Sequence, residues 1–157
     1  MISETYDCLG CQLASGEVIP PGGVIWCDHF WHLAHDANNV IPGFLILSTI
    51  PHLTHMYEIP AQELVGGWSL IHHVRKILAE QISFRDYILF QSDYTISRHY
   101  HVWIMPIYPE MQQFGKPPDG ILSFLQWSKV YWDTAEKRER INQISESLRK
   151  GITISIS

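Results

Sequence analysis

The stretch Ser97-Arg-His-Tyr-His-Val-Trp-Ile-Met-Pro106 holds the residues best suited to chemistry. On a β-strand alternate side chains share a face. His99, His101, Trp103 and Met105 therefore point one way, and Tyr100, Val102 and Ile104 the other. The apolar set would pack into a core and leave two imidazoles together in a cleft. A neutral imidazole is a competent nucleophile toward phosphorus, and its neighbour can orient it, relay a proton or ligate a metal. The plainer alternative is two histidines on a solvated strand face, since so short a spacing recurs by chance. Cys8-Leu-Gly-Cys11 is the second such group. Two thiolates supply half of the four ligands that a closed zinc site needs. Buried small residues or a redox pair are the other readings, the latter without the βαβ context of a thioredoxin-like site.

The elements that must position these groups follow from apolar periodicity and from turn residues. Val24 to Cys27 reads as a short strand, Asp28-His29 as a turn, and Phe30 to Ala34 as the hairpin partner. Asp36 to Gly43 is loop-like, and Phe44-Leu-Ile-Leu47 suits a central strand buried on both faces. Pro60 opens the clearest helix, with Leu64, Trp68, Ile71, Val74 and Leu78 on one side. Gly66 and Gly67 weaken it by about 1 kcal/mol each relative to alanine. Tyr87 to Phe90 and Tyr100 to Met105 read as two more strands. An irregular segment containing Gly115-Lys-Pro-Pro-Asp-Gly120 precedes a second helix from Thr134 to Lys150. Asp133 with Glu136 would cap that helix, Ile141, Ile144 and Leu148 would bury it, and Gly151 would end it. About five strands, one long helix and a C-terminal helical extension, without regular βαβ alternation, predict an α+β fold on an antiparallel sheet.

A length of 157 residues fits one domain, and 46% hydrophobic with 17% charged residues is ordinary for a soluble globular chain. The net charge of −5 lacks the basic density that a nucleic-acid polymer requires, although a small nucleotide needs far less. No apolar run approaches the roughly 18 residues of a membrane span. Met1 to Asp7 shows neither the basic nor the apolar part of a secretory leader. Cys8, Cys11 and Cys27 are an odd number and do not form a disulfide framework. These features predict a cytoplasmic protein with no membrane and no nucleic-acid partner.

Taken together, the residues resemble the histidine-triad (HIT-like) superfamily, and within it the zinc-containing, dinucleoside polyphosphate hydrolase-like branch. Its signature is His-φ-His-φ-His-φ-φ, φ being an apolar residue, on a C-terminal strand commonly followed by proline. Cys8-Leu-Gly-Cys11, Val24-Ile-Trp-Cys-Asp28, Ile41-Pro-Gly-Phe-Leu-Ile-Leu47 with Pro51-His52, and the helix from Pro60 followed by the strand from Tyr87 match in order. The resemblance covers approximately residues 6–108. It implies one HIT-like domain over 1–157, with 109–157 as an extension.

Only two of the three histidines are present. If Pro106 is the family's proline, His99 is the first triad residue, His101 the middle one, and Trp103 replaces the third. In the other register Ser97 replaces the first and His99 becomes the middle. The proline and the zinc ligands favour the first register. Some relatives, such as galactose-phosphate uridylyltransferases, carry Gln in the third place.

The resemblance further implies zinc held by Cys8, Cys11, His52 and His99, with His55 competing for the place of His52. It makes His101 the nucleophile and His99 its orienting partner, directly or through zinc. Gln91, Ser97, Arg98 and Trp103 would contact substrate, and the ribose-binding acid falls at His35 or Asp36. Gln91 to Ser97 lacks the family's phosphate-loop glycines. His29, His32, His72 and His73 read as surface or core histidines, and Trp26, Trp31 and Trp68 as core. The implied activity is nucleotidyl hydrolysis or transfer on nucleoside phosphate esters or dinucleoside polyphosphates, by a homodimer. The rivals are a non-catalytic nucleotide-binding or regulatory module on the same fold and a purely structural zinc domain.

Overall fold

A computed structural model describes residues 8–91 and 99–156. Asp28 turns its first hairpin by accepting the backbone N–H of Phe30 at 2.7 Å and of Trp31 at 2.6 Å. This turn joins β1 (Val24–Cys27) to β2 (Trp31–His35). With β3 (Leu45–Thr49), β4 (Tyr87–Gln91) and β5 (His101–Pro106) they make one sheet, ordered β1-β2-β3-β5-β4 with every neighbour antiparallel. The α+β antiparallel architecture agrees with the sequence reading. The apolar run from Phe44 does supply the central strand, although Ile46 is only half-buried because it faces a pocket.

One face of the sheet is covered by α2 (Ala61–Gln81) and α4 (Ala135–Ile156). Leu33, Leu47, Val102 and Ile104 from the strands meet Leu70, Val74 and Leu78 of α2 and Ile144, Leu148 and Ile152 of α4 in that core. The buried stripe of α2 is Gly67, Leu70, Ile71, Val74, Ile77 and Leu78, while Trp68 is 40% exposed. The expectation for Trp68 fails because the stripe passes through a glycine, which carries no hydrophobic signal. A Cβ at position 67 would lie 2.6 Å from Cζ2 of Trp31, whose indole N–H donates to the Glu63 carbonyl at 2.8 Å. Gly67→Ala is therefore expected to destabilise the protein by about 1–3 kcal/mol, despite the better helix propensity of alanine. Urea denaturation checks this, and an unchanged or raised midpoint would contradict it.

Two expectations for the C-terminal helix are corrected. Its first turn is capped by Thr134, whose Oγ1 accepts the Lys137 N–H at 3.3 Å, while Asp133 holds Arg138 through two bonds of 2.7 and 2.6 Å. It also runs past Gly151 to Ile156, because Ile152 extends the buried stripe of Ile141, Ile144 and Leu148 by another turn. A third helix, α3 (Ile121–Tyr131), lies where the sequence reading left an irregular segment. It buries Ile121, Phe124 and Leu125 with Ile41, Phe44, Met105 and Trp132 in a second core on the opposite sheet face. The extension thus closes the Met105 end of the face that carries His101. No helix among the described residues is long and apolar enough to cross a membrane.

Candidate metal centre and nucleotide site

Helix α1 (Leu9–Ser15) begins at Cys8, which is its N-cap, and carries Cys11 one turn inside. That spacing aims both sulfurs at the end of β3 and the start of β5. Cys8 Sγ lies 3.2 Å from Nδ1 of His99, and Cys11 Sγ lies 3.1 Å from Nδ1 of His52 and 3.7 Å from Nδ1 of His99. One donor atom from each of Cys8, Cys11, His52 and His99 falls within 4.8 Å of all the others. Four donors at these separations suit a tetrahedral ion with bonds of about 2.0–2.3 Å. The other ring nitrogen of His99 donates to the Thr49 carbonyl at 2.7 Å, the kind of second bond that orients a ligating imidazole. Burial holds His99 below the usual histidine range, so its ring stays neutral as ligation requires. Burial, and then the neighbouring Cys8 sulfur, push the Cys11 thiol up to about 11. A cation is what such a pair of sulfurs needs to ionise together.

Gly10, between the two cysteines, is part of the same construction. A Cβ there would clash with the His99 ring, so only glycine lets that ring lie against α1. His55 is not a ligand: its Nδ1 bonds Thr54 Oγ1 at 2.7 Å and its ring stacks on Tyr57.

Next to this cluster lies a pocket of about 230 Å³. Leu9, Gly10 and Leu13 of α1 form one wall, Asp36, Ala37 and Asn38 another, and Ile46, Ser48, His99, His101 and Trp103 the floor. Larger clefts exist, including one of about 500 Å³ walled by Pro42, Tyr108 and the first turns of α4, but it holds no imidazole or thiol. In the pocket His101 Nδ1–H donates to the His99 carbonyl at 2.8 Å. That bond places the proton on Nδ1 and leaves the lone pair on Nε2. Trp103 lies 6.4 Å from His101 between ring centroids, and it also contacts Phe44 and Phe90.

Strand alternation separates the two residues between which the sequence left the ribose contact open. His35 pairs with Leu45 on the core face, while Asp36 opens into the pocket. Asp36 Oδ2 accepts Asn39 Nδ2 at 2.7 Å and the Asn38 N–H at 3.2 Å, and the Asn39 backbone N–H also bonds the carboxylate. Burial nonetheless raises its carboxyl above the usual range. Gln91 pairs with Val102, so it lies on the opposite face from His101 and does not line the pocket. Ser97 and Arg98 lie outside the described residues. Ser48 and Asn38 were missed by sequence reasoning, because only the pairing of β3 with its neighbours shows which residues flank His101.

His35 has a structural task instead. The Gly43 N–H donates to its Nε2 at 3.1 Å, so Nδ1 carries the proton and donates to Ser145 Oγ of α4 at 3.1 Å. Burial, with a smaller effect from Arg149, lowers its pKa to about 3. The unfolded chain therefore takes up this proton first. Stability is complete above about pH 6.5 and falls by roughly 1.4 kcal/mol per unit as pH drops toward about 3. Melting curves between pH 7 and 4 should show a shallower decline for His35→Gln than for wild type, and parallel curves would contradict this.

No family model matches the chain, and no curated protein matches it. Solved structures do. A zinc-bound histidine triad family protein from Mycobacterium smegmatis superposes with a TM-score of 0.67 at 13% identity, over 96% of this chain and 99% of that one. A hypothetical histidine triad nucleotide-binding protein from Sulfolobus tokodaii gives 0.64 at 16% identity, over 94% and 93%. Plasmodium falciparum diadenosine triphosphate hydrolase gives 0.58 at 14% identity, over 88% and 82%. The chain has the fold of the histidine-triad proteins, as its sequence resemblance implied.

Proposed function

We propose that this protein is a nucleotidyl hydrolase or transferase in which His101 attacks the α-phosphorus of a nucleoside phosphate ester or dinucleoside polyphosphate. The observation that carries the reading is the bond from His101 Nδ1–H to the His99 carbonyl, beside a pocket that also presents Asp36. A neutral imidazole locked in this tautomer has its nucleophilic lone pair on Nε2. As the Nε2–P bond forms, the bond from phosphorus to the leaving oxygen breaks. Water, or a second acceptor, then displaces His101 from the nucleotidyl-histidine. The Asp36 carboxylate, which lines the pocket, is suited to accept hydrogen bonds from ribose hydroxyls. The naming of one structural neighbour as a diadenosine triphosphate hydrolase supports the substrate class.

Cys8, Cys11, His52 and His99 would hold zinc, which when bound supplies a rigid anchor for the segment at His99. His99 uses its side chain at that cluster and its carbonyl on His101, so it positions the nucleophile.

Trp103 favours a second reading. It stands where the family's third histidine assists departure of the leaving group, and it packs against Phe44 and Phe90. A chain lacking that assistance either uses substrates with a good leaving group or binds nucleotides without turnover. A panel of dinucleoside polyphosphates decides between the two. Release of nucleoside monophosphate is expected, whereas binding without release would support the non-catalytic module.

The proposed assembly is a homodimer. In the described sheet β4 is an edge strand, with Leu89 42% and Phe90 47% exposed on it. An exposed apolar edge strand is a ready template for a second copy. Sedimentation as a two-chain species is expected, and a monomer at micromolar concentration would contradict it.

A further inference from the structure

Strands β2, β3 and β5 place three polar side chains in one row across the pocket face. His32 pairs with Ser48, and Ser48 pairs with His101. The adjacent row, Ala34, Ile46 and Trp103, is apolar. Directly opposed residues in antiparallel strands bring their Cβ atoms to about 4.5–5.5 Å. Ser48 is thus the immediate neighbour of the proposed nucleophile on the pocket floor, and it lines the pocket.

The Ser48 hydroxyl both donates and accepts, and the β3–β5 pairing sets it beside His101 on the pocket floor.

We propose that Ser48 donates a hydrogen bond to a non-bridging oxygen of the phosphate bound beside His101. This rests on the nucleotide reading above and names a phosphate contact within that site. A side-chain donor at this point meets the charge that accumulates on phosphorus-bound oxygen during attack.

The test is calorimetric binding of the four nucleoside monophosphates, each compared with its unphosphorylated nucleoside. Ser48→Ala is expected to weaken the monophosphates roughly tenfold, the usual size of a hydrogen bond to a charged group, and to leave the nucleosides unchanged. Ser48→Thr, which keeps the hydroxyl, should retain most of the affinity. Monophosphate affinity within twofold of wild type in Ser48→Ala overturns the assignment while the nucleotide reading stands. Wild-type protein that binds neither monophosphates nor nucleosides ends both.

Discussion

His101→Ala is expected to lower kcat/KM for a dinucleoside polyphosphate by at least roughly 10³-fold, while nucleoside monophosphate affinity changes only a few-fold. The asymmetry follows from what the side chain does. Its Nδ1–H is bound to the His99 carbonyl and its Nε2 is the atom that would bond phosphorus, so removing the ring removes the step. The pocket walls at Asp36, Ile46 and Ser48 belong to other strands and loops and should still accept the ligand. Equal losses in affinity and turnover would mean that His101 only binds substrate. Full activity in the variant would remove it from the mechanism.

The second large effect is on stability. Stripping metal from the protein with a strong chelator, or replacing Cys8 with serine, is expected to lower the melting temperature by at least about 10 °C. Structural zinc in small sites supplies about 10 kcal/mol or more of apparent binding free energy, and about 2–4 °C accompanies each kcal/mol in a domain of this size. The cost is concentrated where three chain segments converge: the first turn of α1 with its N-cap, the residues after β3 and those before β5. Metal analysis of the purified protein should find about one zinc per chain, by the donor set. Thermal midpoints unmoved by chelation and by the cysteine variant would show that the four side chains are held by packing alone.

Much of this was legible in the sequence because the relevant signals are local. Period-two alternation from His99 to Met105 and the Cys-x-x-Cys spacing each identify their groups without knowledge of the rest of the chain. The hairpin at Asp28 and the apolar run before Thr49 are likewise short-range features. What was not legible depends on pairing between distant strands. Ser48 is adjacent to His101 only through the β3–β5 register, and Gln91 is excluded from the pocket only through its pairing with Val102. The choice between His35 and Asp36 needed the β2 register, which turns His35 toward Ser145 on α4. Helix α3 was missed because Ile121, Phe124 and Leu125 follow a Pro- and Gly-rich segment that reads as loop. Gly67 misled the helix stripe because a residue without a side chain can be the most closely packed position on a helix.

The central claim is that phosphorus becomes bonded to the ring of His101. Intact-mass measurement of protein quenched during turnover, followed by peptide mapping under conditions that preserve phosphoramidates, tests it most directly. The account predicts a mass increase of one nucleotidyl group, located on the peptide containing His101 and absent from His101→Ala. Turnover with no adduct in either protein under single-turnover trapping, or an adduct on another residue, would contradict it.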